Sequence, residues 1–325
     1  MTDMDMPFKL KEATEGLVED IDLRDLRRIS NKITEKYMER ASSGGNHLTS
    51  EEEVKVYSVV RMPATYGAVS DALSYVRDIF GDDIDSVSDI GAGSGAASWA
   101  CREIFAPSEI KCLEYEDQMI DIGRTLMSGD KELAGIASWK NYDLLSDEPV
   151  PGSDLVISSY VINELPADKR LSAVDKMWKA AGKIMVIIEP GTMTGFSVIR
   201  DIRAHILEAG GHMIAPCPHE GICRIGKDDW CHFACRVMRS KMHKLIKDAA
   251  APYEDEKYSF IAFSKTPVTP CSCRILRHPE INKGFIKLNV CTSSSNEVIT
   301  VTKKDKELFK QARKAKQGDT LDHSF

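Results

Sequence analysis

The chain has 325 residues, of which 42% are hydrophobic and 29% charged, the balance of a globular protein with a sizeable core in one large or two ordinary domains. A net charge of −7 excludes a protein that is basic all over, though not one with a local basic face. No apolar run is long enough to cross a bilayer as a helix, which excludes a helical membrane span.

The first residues, Met1 to Phe8, form neither a basic and apolar leader nor an arginine-rich amphipathic segment, so the expectation is a cytoplasmic protein. Residues 8–40 are expected to be helical, with Leu17, Ile21, Leu26, Ile29 and Ile33 at loosely helical spacing. Ser42 to Asn46 is a loop. Ser50 before Glu51, Glu52 and Glu53 is a helix start, with a capping hydroxyl and acids in the first turn. One helix is expected to reach Val60, and another to run from Pro63 to Ile79. From Ser86 short apolar strands alternate with helices of ten to fifteen residues. The strands are Ser86–Ile90, Glu109–Glu114, Asp154–Ser158 and Lys183–Ile188, with a further one at Tyr258–Phe263. That alternation predicts an α/β fold with a parallel sheet covered on both faces. Residues 211–250 interrupt the pattern. The tail from Lys303 to Lys316 reads as an exposed basic helix.

Asp89-Ile-Gly91-Ala-Gly93-Ser-Gly95 follows a strand and opens a helix. Glycines there let the backbone turn tightly and approach a ligand. The spacing is G-x-G-x-G with an acid two residues ahead, not the G-x-G-x-x-G of dinucleotide folds. It resembles motif I of class I methyltransferases, where the turn meets the methionine part of S-adenosylmethionine (SAM). Glu114 ends the next strand, where a fixed acceptor suits ribose hydroxyls. Asp143 stands where such folds place an acid near the adenine, although an aspartate capping a turn would look the same. The candidate cofactor residues are therefore Asp89, Gly91, Gly93, Gly95, Glu114 and Asp143. Asn163 and Glu164 follow the fourth strand, on the side of a methyl acceptor. Neither an Asn-Pro-Pro-Tyr box nor a Pro-Cys nucleophile stands there, so no catalytic residue is assigned.

Nine cysteines are many for a reducing compartment, where clustered thiols more often bind metal than pair. Cys217, Cys223 and Cys231 have the spacing C-x5-C-x7-C, unlike the C-x2-C pairs of zinc ribbons. Cys291 is a distant fourth ligand candidate. Buried free cysteines are the plain alternative. The spacing leaves a 4Fe–4S cluster and zinc both open, with His219 and His232 as alternates in a zinc site. Cys101 and Cys112 are expected in the core.

Several stretches together resemble one family: Arg61-Met-Pro-Ala-Thr-Tyr-Gly-Ala-Val69, Ala97-Ser-Trp-Ala100, Glu189-Pro-Gly-Thr-Met-Thr-Gly-Phe196, Ala215-Pro-Cys-Pro-His219, Asp229-Trp-Cys-His-Phe233, Glu254-Asp-Glu-Lys-Tyr-Ser-Phe260, Leu288-Asn-Val-Cys291 and Ala312-Arg-Lys-Ala315. Over residues 50–319 the chain is similar to the Rsm-twenty-two type of ribosomal small-subunit methyltransferase-like proteins. The resemblance implies a class I SAM-methyltransferase Rossmann-like fold with N-terminal helices and a cysteine-rich metal-binding insertion. It also implies a 4Fe–4S cluster on Cys217, Cys223, Cys231 and Cys291, and work on the small ribosomal subunit through its rRNA, with ribosomal or assembly proteins as further partners. Residues 1–82 would be the helical region, 83–210 the SAM-binding core, 211–250 the metal-binding insertion, and 251–325 the last core strands, the fourth ligand and the basic tail. The expected function is a small-subunit assembly factor. An active rRNA methyltransferase and an iron–sulfur sensor of translation are the alternatives. Phosphate contacts are expected from Arg236, Arg239, Lys241, Lys244 and Lys247, and from the tail.

Overall fold

A computed structural model describes residues 2–39 and 50–321; the loop expected at Ser42 to Asn46 lies outside them. In chain order the elements are β1 (Thr2–Met4), α1 (Phe8–Gly16), α2 (Leu23–Glu39), α3 (Glu51–Phe80), β2 (Ser86–Ile90), α4 (Ala96–Phe105), β3 (Glu109–Glu114), α5 (Asp117–Ser128), α6 (Lys131–Ile136), β4 (Ala137–Asn141) and β5 (Ser153–Ser159). After a 3-10 turn at Ile162–Glu164 come α7 (Arg170–Ala180), β6 (Ala181–Pro190), α8 (Met193–Glu208), β7 (His212–Ala215), β8 (Phe233–Met238), α9 (Lys241–Ile246) and β9 (Tyr253–Ser264). The chain ends in β10 (Cys273–Ile275), β11 (Glu280–Ile281), β12 (Phe285–Thr292), β13 (Asn296–Thr302) and α10 (Lys306–Lys314).

The start of α3 follows the sequence signal. Ser50 caps it by accepting from the Glu53 N–H at 3.2 Å, with three acids in the first turn. It does not stop before Pro63 as expected; it runs through it. A proline inside a helix costs about 3 kcal/mol through a lost hydrogen bond and a clash. Burial of Val59, Met62, Tyr66, Val69, Leu73 and Val76 along the same helix offsets that cost. The N-terminal helical stretch divides into α1 and α2 around a turn, and no single helix covers it.

The main sheet runs β1-β8-β9-β6-β5-β2-β3-β4, with β7 also beside β9. Strands β2 to β6 are parallel neighbours, and β9 lies antiparallel to β6, β7 and β8. Five parallel strands with a late antiparallel strand inserted beside the fifth make the class I SAM-methyltransferase variant of the Rossmann-like sheet. Period-two alternation fills both faces. Ile184, Val186 and Ile188 of β6 join the core under α3 and α4, whereas Met185 and Ile187 join the core under α7 and α8.

Residues 211–250 do more than interrupt the alternation, because they contribute β7 and β8 to the sheet. Strands β10 to β13 form a separate antiparallel sheet, closed by α10 over Ile286, Leu288, Val290 and Val301. Among the described residues no helix is long and apolar enough to cross a membrane.

Candidate cofactor site and thiol pocket

The glycine turn sits at the carboxyl end of β2, in the crevice where open α/β sheets bind ligands. Gly91, Gly93 and Gly95 all have positive φ, at 65°, 55° and 93°. A Cβ on Gly91 would meet Val161 at 2.3 Å, whereas one on Gly93 would meet nothing within 4 Å. Gly93 therefore faces open space. Glu114 closes the turn from the next strand: one oxygen accepts from Gly93 N–H at 2.7 Å, and the other from the N–H groups of Tyr115 and Glu116. A carboxylate offers about four lone-pair sites, so one remains for a ligand hydroxyl. Tyr115 beside it is 62% exposed, a ring open to stacking on a base. This open turn, free acceptor and aromatic face fit a nucleoside cofactor.

Asp89 lies beneath the turn and is fully buried. One oxygen accepts from Ser98 N–H and Oγ, holding the start of α4, and the other has no partner. Burial pushes its carboxyl up to about 7, with Ser98 opposing. Asp143 is exposed and accepts from Leu145 N–H at 2.8 Å, as an aspartate capping a turn does.

Glu164 stands open to solvent, yet the protein around it displaces enough water, with Glu114 near, to push its carboxyl up to about 7. Asn163 donates its backbone N–H to the buried Glu189, and its carbonyl accepts from Arg170. Sequence reasoning missed Tyr160, whose φ of 62° is uncommon for a bulky residue. Its hydroxyl donates to Glu256 at 3.0 Å, and Arg61 of α3 donates to the same oxygen at 3.2 Å. The family-like stretches around Arg61 and Glu256 held both partners, but nothing local encoded the backbone turn.

The second feature lies between α8, the loop joining β7 to β8, and β12. Cys217, Cys223, Cys231 and Cys291 line one pocket, with Phe196, Ile199, Ile225 and Leu276 among its apolar walls. The structure thus brings together the four cysteines that the sequence singled out. Burial raises the Cys217 thiol, with Arg203 opposing. It raises Cys231 well above the ordinary range and pushes Cys291 up to about 12, and each is raised further by the other thiols of the pocket. His219 lies at the same pocket, with Nε2 3.7 Å from Cys291 Sγ. His232 instead stacks on Trp230. Among the described residues no three His, Cys, Asp or Glu side chains are grouped as a single metal ion would require. Thiols as a donor type are those that soft metals and iron–sulfur cores take. Cys101, Cys112 and Cys235 are core residues, and Cys273 packs inside the small sheet. The pocket loop touches the other site through Trp230 Nε1, which donates to Gly191 O at 2.9 Å just after β6.

The family model described as mitochondrial small ribosomal subunit Rsm22 matches residues 51–322. The human protein "Ribosome assembly protein METTL17, mitochondrial" is 25% identical over 292 residues, which are 82% of this chain and 62% of that protein. The Schizosaccharomyces pombe "Rsm22-cox11 tandem protein 2, mitochondrial" is 22% identical over 83% of this chain and 43% of its own length. The chain thus spans about two-fifths to three-fifths of these relatives' length. Magnesium protoporphyrin IX methyltransferase from Synechocystis PCC 6803 with bound SAM superposes with a TM-score of 0.42 at 12% identity, covering 75% of this chain and 97% of that one; the fold assignment rests on the strand order, not on that similarity. The cytoplasmic expectation is corrected by these findings, because the family description and both relatives are mitochondrial. The composition of the first eight residues was too thin a basis for a cellular address.

Proposed function

The chain belongs to the mitochondrial small ribosomal subunit Rsm22 family, and from that membership we propose that it is an assembly factor of the mitochondrial small ribosomal subunit. The family match over residues 51–322 carries this reading, and the name of the human relative, a ribosome assembly protein, supports it. In this reading the class I fold binds SAM at Gly91, Gly93, Gly95, Glu114 and Asp143, with Asp89 holding the turn from below. When bound, SAM supplies a methyl group on a sulfonium. Cys217, Cys223, Cys231 and Cys291 hold a 4Fe–4S cluster. What supports a metal there is that all four thiols line one pocket, and the choice of iron–sulfur over zinc follows the family resemblance.

Contact with rRNA falls to α10 and its approach. Lys303, Lys304, Lys306, Lys310, Arg313, Lys314 and Lys316 are exposed there, and among the described residues none forms an ion pair. The other basic run supports RNA contact less, because Arg236 is paired with Asp255 and Arg239 with Glu254.

The test is sedimentation of the protein with purified small subunits and their assembly intermediates. Co-migration with small-subunit particles, weakening steeply with salt, is the expected result. Absence from all small-subunit fractions would overturn the reading.

The open face of Gly93 beside the exposed Tyr115 favours a second reading, an active rRNA methyltransferase. Assembly intermediates incubated with methyl-labelled SAM would then gain label in RNA that a Gly93→Trp protein fails to add.

A further inference from the structure

Four cysteines do not account for the charge of their own pocket. Arg203 of α8 and Arg274 of β10 both line it, 5% and 3% exposed. Arg200 and Arg224 line it as well, and no Asp or Glu does. Among the described residues neither buried arginine has an ion-pair partner. Arg203 donates to His219 O at 2.8 Å, and its Nε has no acceptor. Arg274 donates to Pro216 O at 3.0 Å and Gly318 O at 2.7 Å, with its guanidinium against the Tyr75 ring. Carbonyl oxygens orient a guanidinium without neutralising it.

A guanidinium does not shed its proton in a protein, and a buried charge without a counter-charge costs several kcal/mol. Protonated thiols supply no counter-charge. Four thiolates around a dipositive core leave two negative charges, which match two buried guanidiniums.

We infer that Arg203 and Arg274 are the counter-charges of a thiolate-ligated metal centre in this pocket, positioning residues that retain the metal and set its charge state. The inference rests on the reading that the four cysteines hold metal. Arg203 acts on the side of Cys217 and His219, with which it lines the pocket. Arg274 closes the side toward α3 and the small sheet. When an iron–sulfur core takes one electron from an added reductant, its net charge becomes one unit more negative. Fixed positive charge nearby favours that reduced form, so both arginines raise the reduction potential.

The test uses the full chain, purified without oxygen, as wild type and as Arg203→Gln, Arg274→Gln and Arg203→Lys. Three quantities are read: iron and zinc per chain, the rate of metal loss to a chelator, and the midpoint of a reductant titration followed by visible absorption. Each Gln variant should lose metal several-fold faster and, if the metal is iron, show a more negative midpoint. Arg203→Lys, which keeps the charge, should stay near wild type. Gln variants equal to wild type in retention and midpoint overturn the inference. So does a Lys variant as impaired as Gln, because the arginine's hydrogen bonds would then matter and its charge would not. A wild-type protein without metal defeats the cysteine reading itself, and this inference with it. Should the buried variants fail to fold, the exposed Arg224 on the same pocket gives the test without that burden: Arg224→Gln should shift loss rate and midpoint in the same direction by a smaller amount, and no shift counts against the inference.

Discussion

A methyl group added at Gly91 would lie 2.3 Å from Val161 Cγ2, in a backbone turn with φ of 65°; the same group at Gly93 would touch nothing. The left-handed conformation costs a residue with a side chain about 1–2 kcal/mol, and forced overpacking about 1–3 more. Gly91→Ala should therefore lower unfolding stability in urea by about 2–5 kcal/mol. Gly93→Ala should cost only about 1–2 kcal/mol, yet place a methyl where a cofactor would approach. Calorimetric SAM affinity should fall for Gly93→Ala far more than its stability does. Equal losses in both would deny the open face a role in binding.

Glu189 carries a pH signature of its own. It is fully buried, with one oxygen accepting from Ile162 and Asn163 N–H and the other unpartnered. Burial, despite those two hydrogen bonds, raises its carboxyl to about 8 from an ordinary 4.5. The folded protein thus binds this proton where the unfolded chain has released it, so stability falls as pH rises from about 4.5 to about 8. The limiting slope for one proton is about 1.4 kcal/mol per pH unit. Asp89 acts in the same direction up to about 7, and His243, lowered to about 4 by burial, acts in the opposite direction below 6.5. Glu164, raised to about 7, adds to Asp89, and from pH 7 to 8 Glu189 is the largest of the three contributions. Glu189→Gln should flatten urea-unfolding stability across that interval, and an unchanged slope would place the proton elsewhere.

At the scale of elements, α10 divides cleanly. Ala312 is buried and Leu308 and Phe309 are half-buried against the small sheet, while Lys306, Lys310 and Lys314 recur every fourth residue on the open side. Replacing these three lysines by glutamate should leave stability within about 1 kcal/mol, since exposed charges contribute little. RNA affinity should fall, and the salt dependence should flatten by roughly 0.7–0.9 for each phosphate that the helix no longer neutralises. Arg236→Gln, which removes a charge already paired with Asp255, should change affinity far less. Equal effects from the two would deny α10 its role.

Charge alone marks α10 in the sequence, and apolar runs between helical segments mark β2, β3, β5 and β6, because a strand buried on both faces has little else to be; β4, Ala137-Ser-Trp-Lys-Asn141 and largely exposed at the sheet edge, carries no such run and was missed. Helix α3 departs from expectation at Pro63, since local propensity says nothing of the packing that holds both sides of a long buried helix. Strand β12 escaped the sequence reading although Ile286, Leu288 and Val290 alternate inward with Phe285, Lys287 and Asn289 outward; reading Cys291 as a candidate ligand drew attention away from that alternation. That Cys291 shares a pocket with Cys217, Cys223 and Cys231 was anticipated by the family resemblance and not by spacing or composition, and the arginines around them were not anticipated at all. Their charge becomes conspicuous only when burial and missing partners are seen together.

For the molecule as a whole, the thiol pocket sits where the small sheet meets the main one. Three of its cysteines belong to the loop from β7 to β8 and the fourth to β12. Among the described residues the polar contacts across this seam include Arg274 to Pro216 O, Gln317 to His232 O, Arg277 to Asp229 and to Trp230 O, and Cys291 Sγ to His219 Nε2. A metal centre spanning the pocket would therefore fasten the two sheets, because ligands from both must be in place before it binds. Removing it by chelation, or cutting one tether with Cys291→Ser, should loosen the small sheet while the parallel core stays intact. Hydrogen exchange reads this directly. Amides of β12, β13 and the 217–232 loop should exchange faster, and those of β2, β5 and β6 should keep wild-type protection. If β12 and β13 keep their protection after the metal is gone, the seam holds by packing and polar contacts alone. If the core strands loosen too, the centre supports the whole fold and not the joint between its sheets.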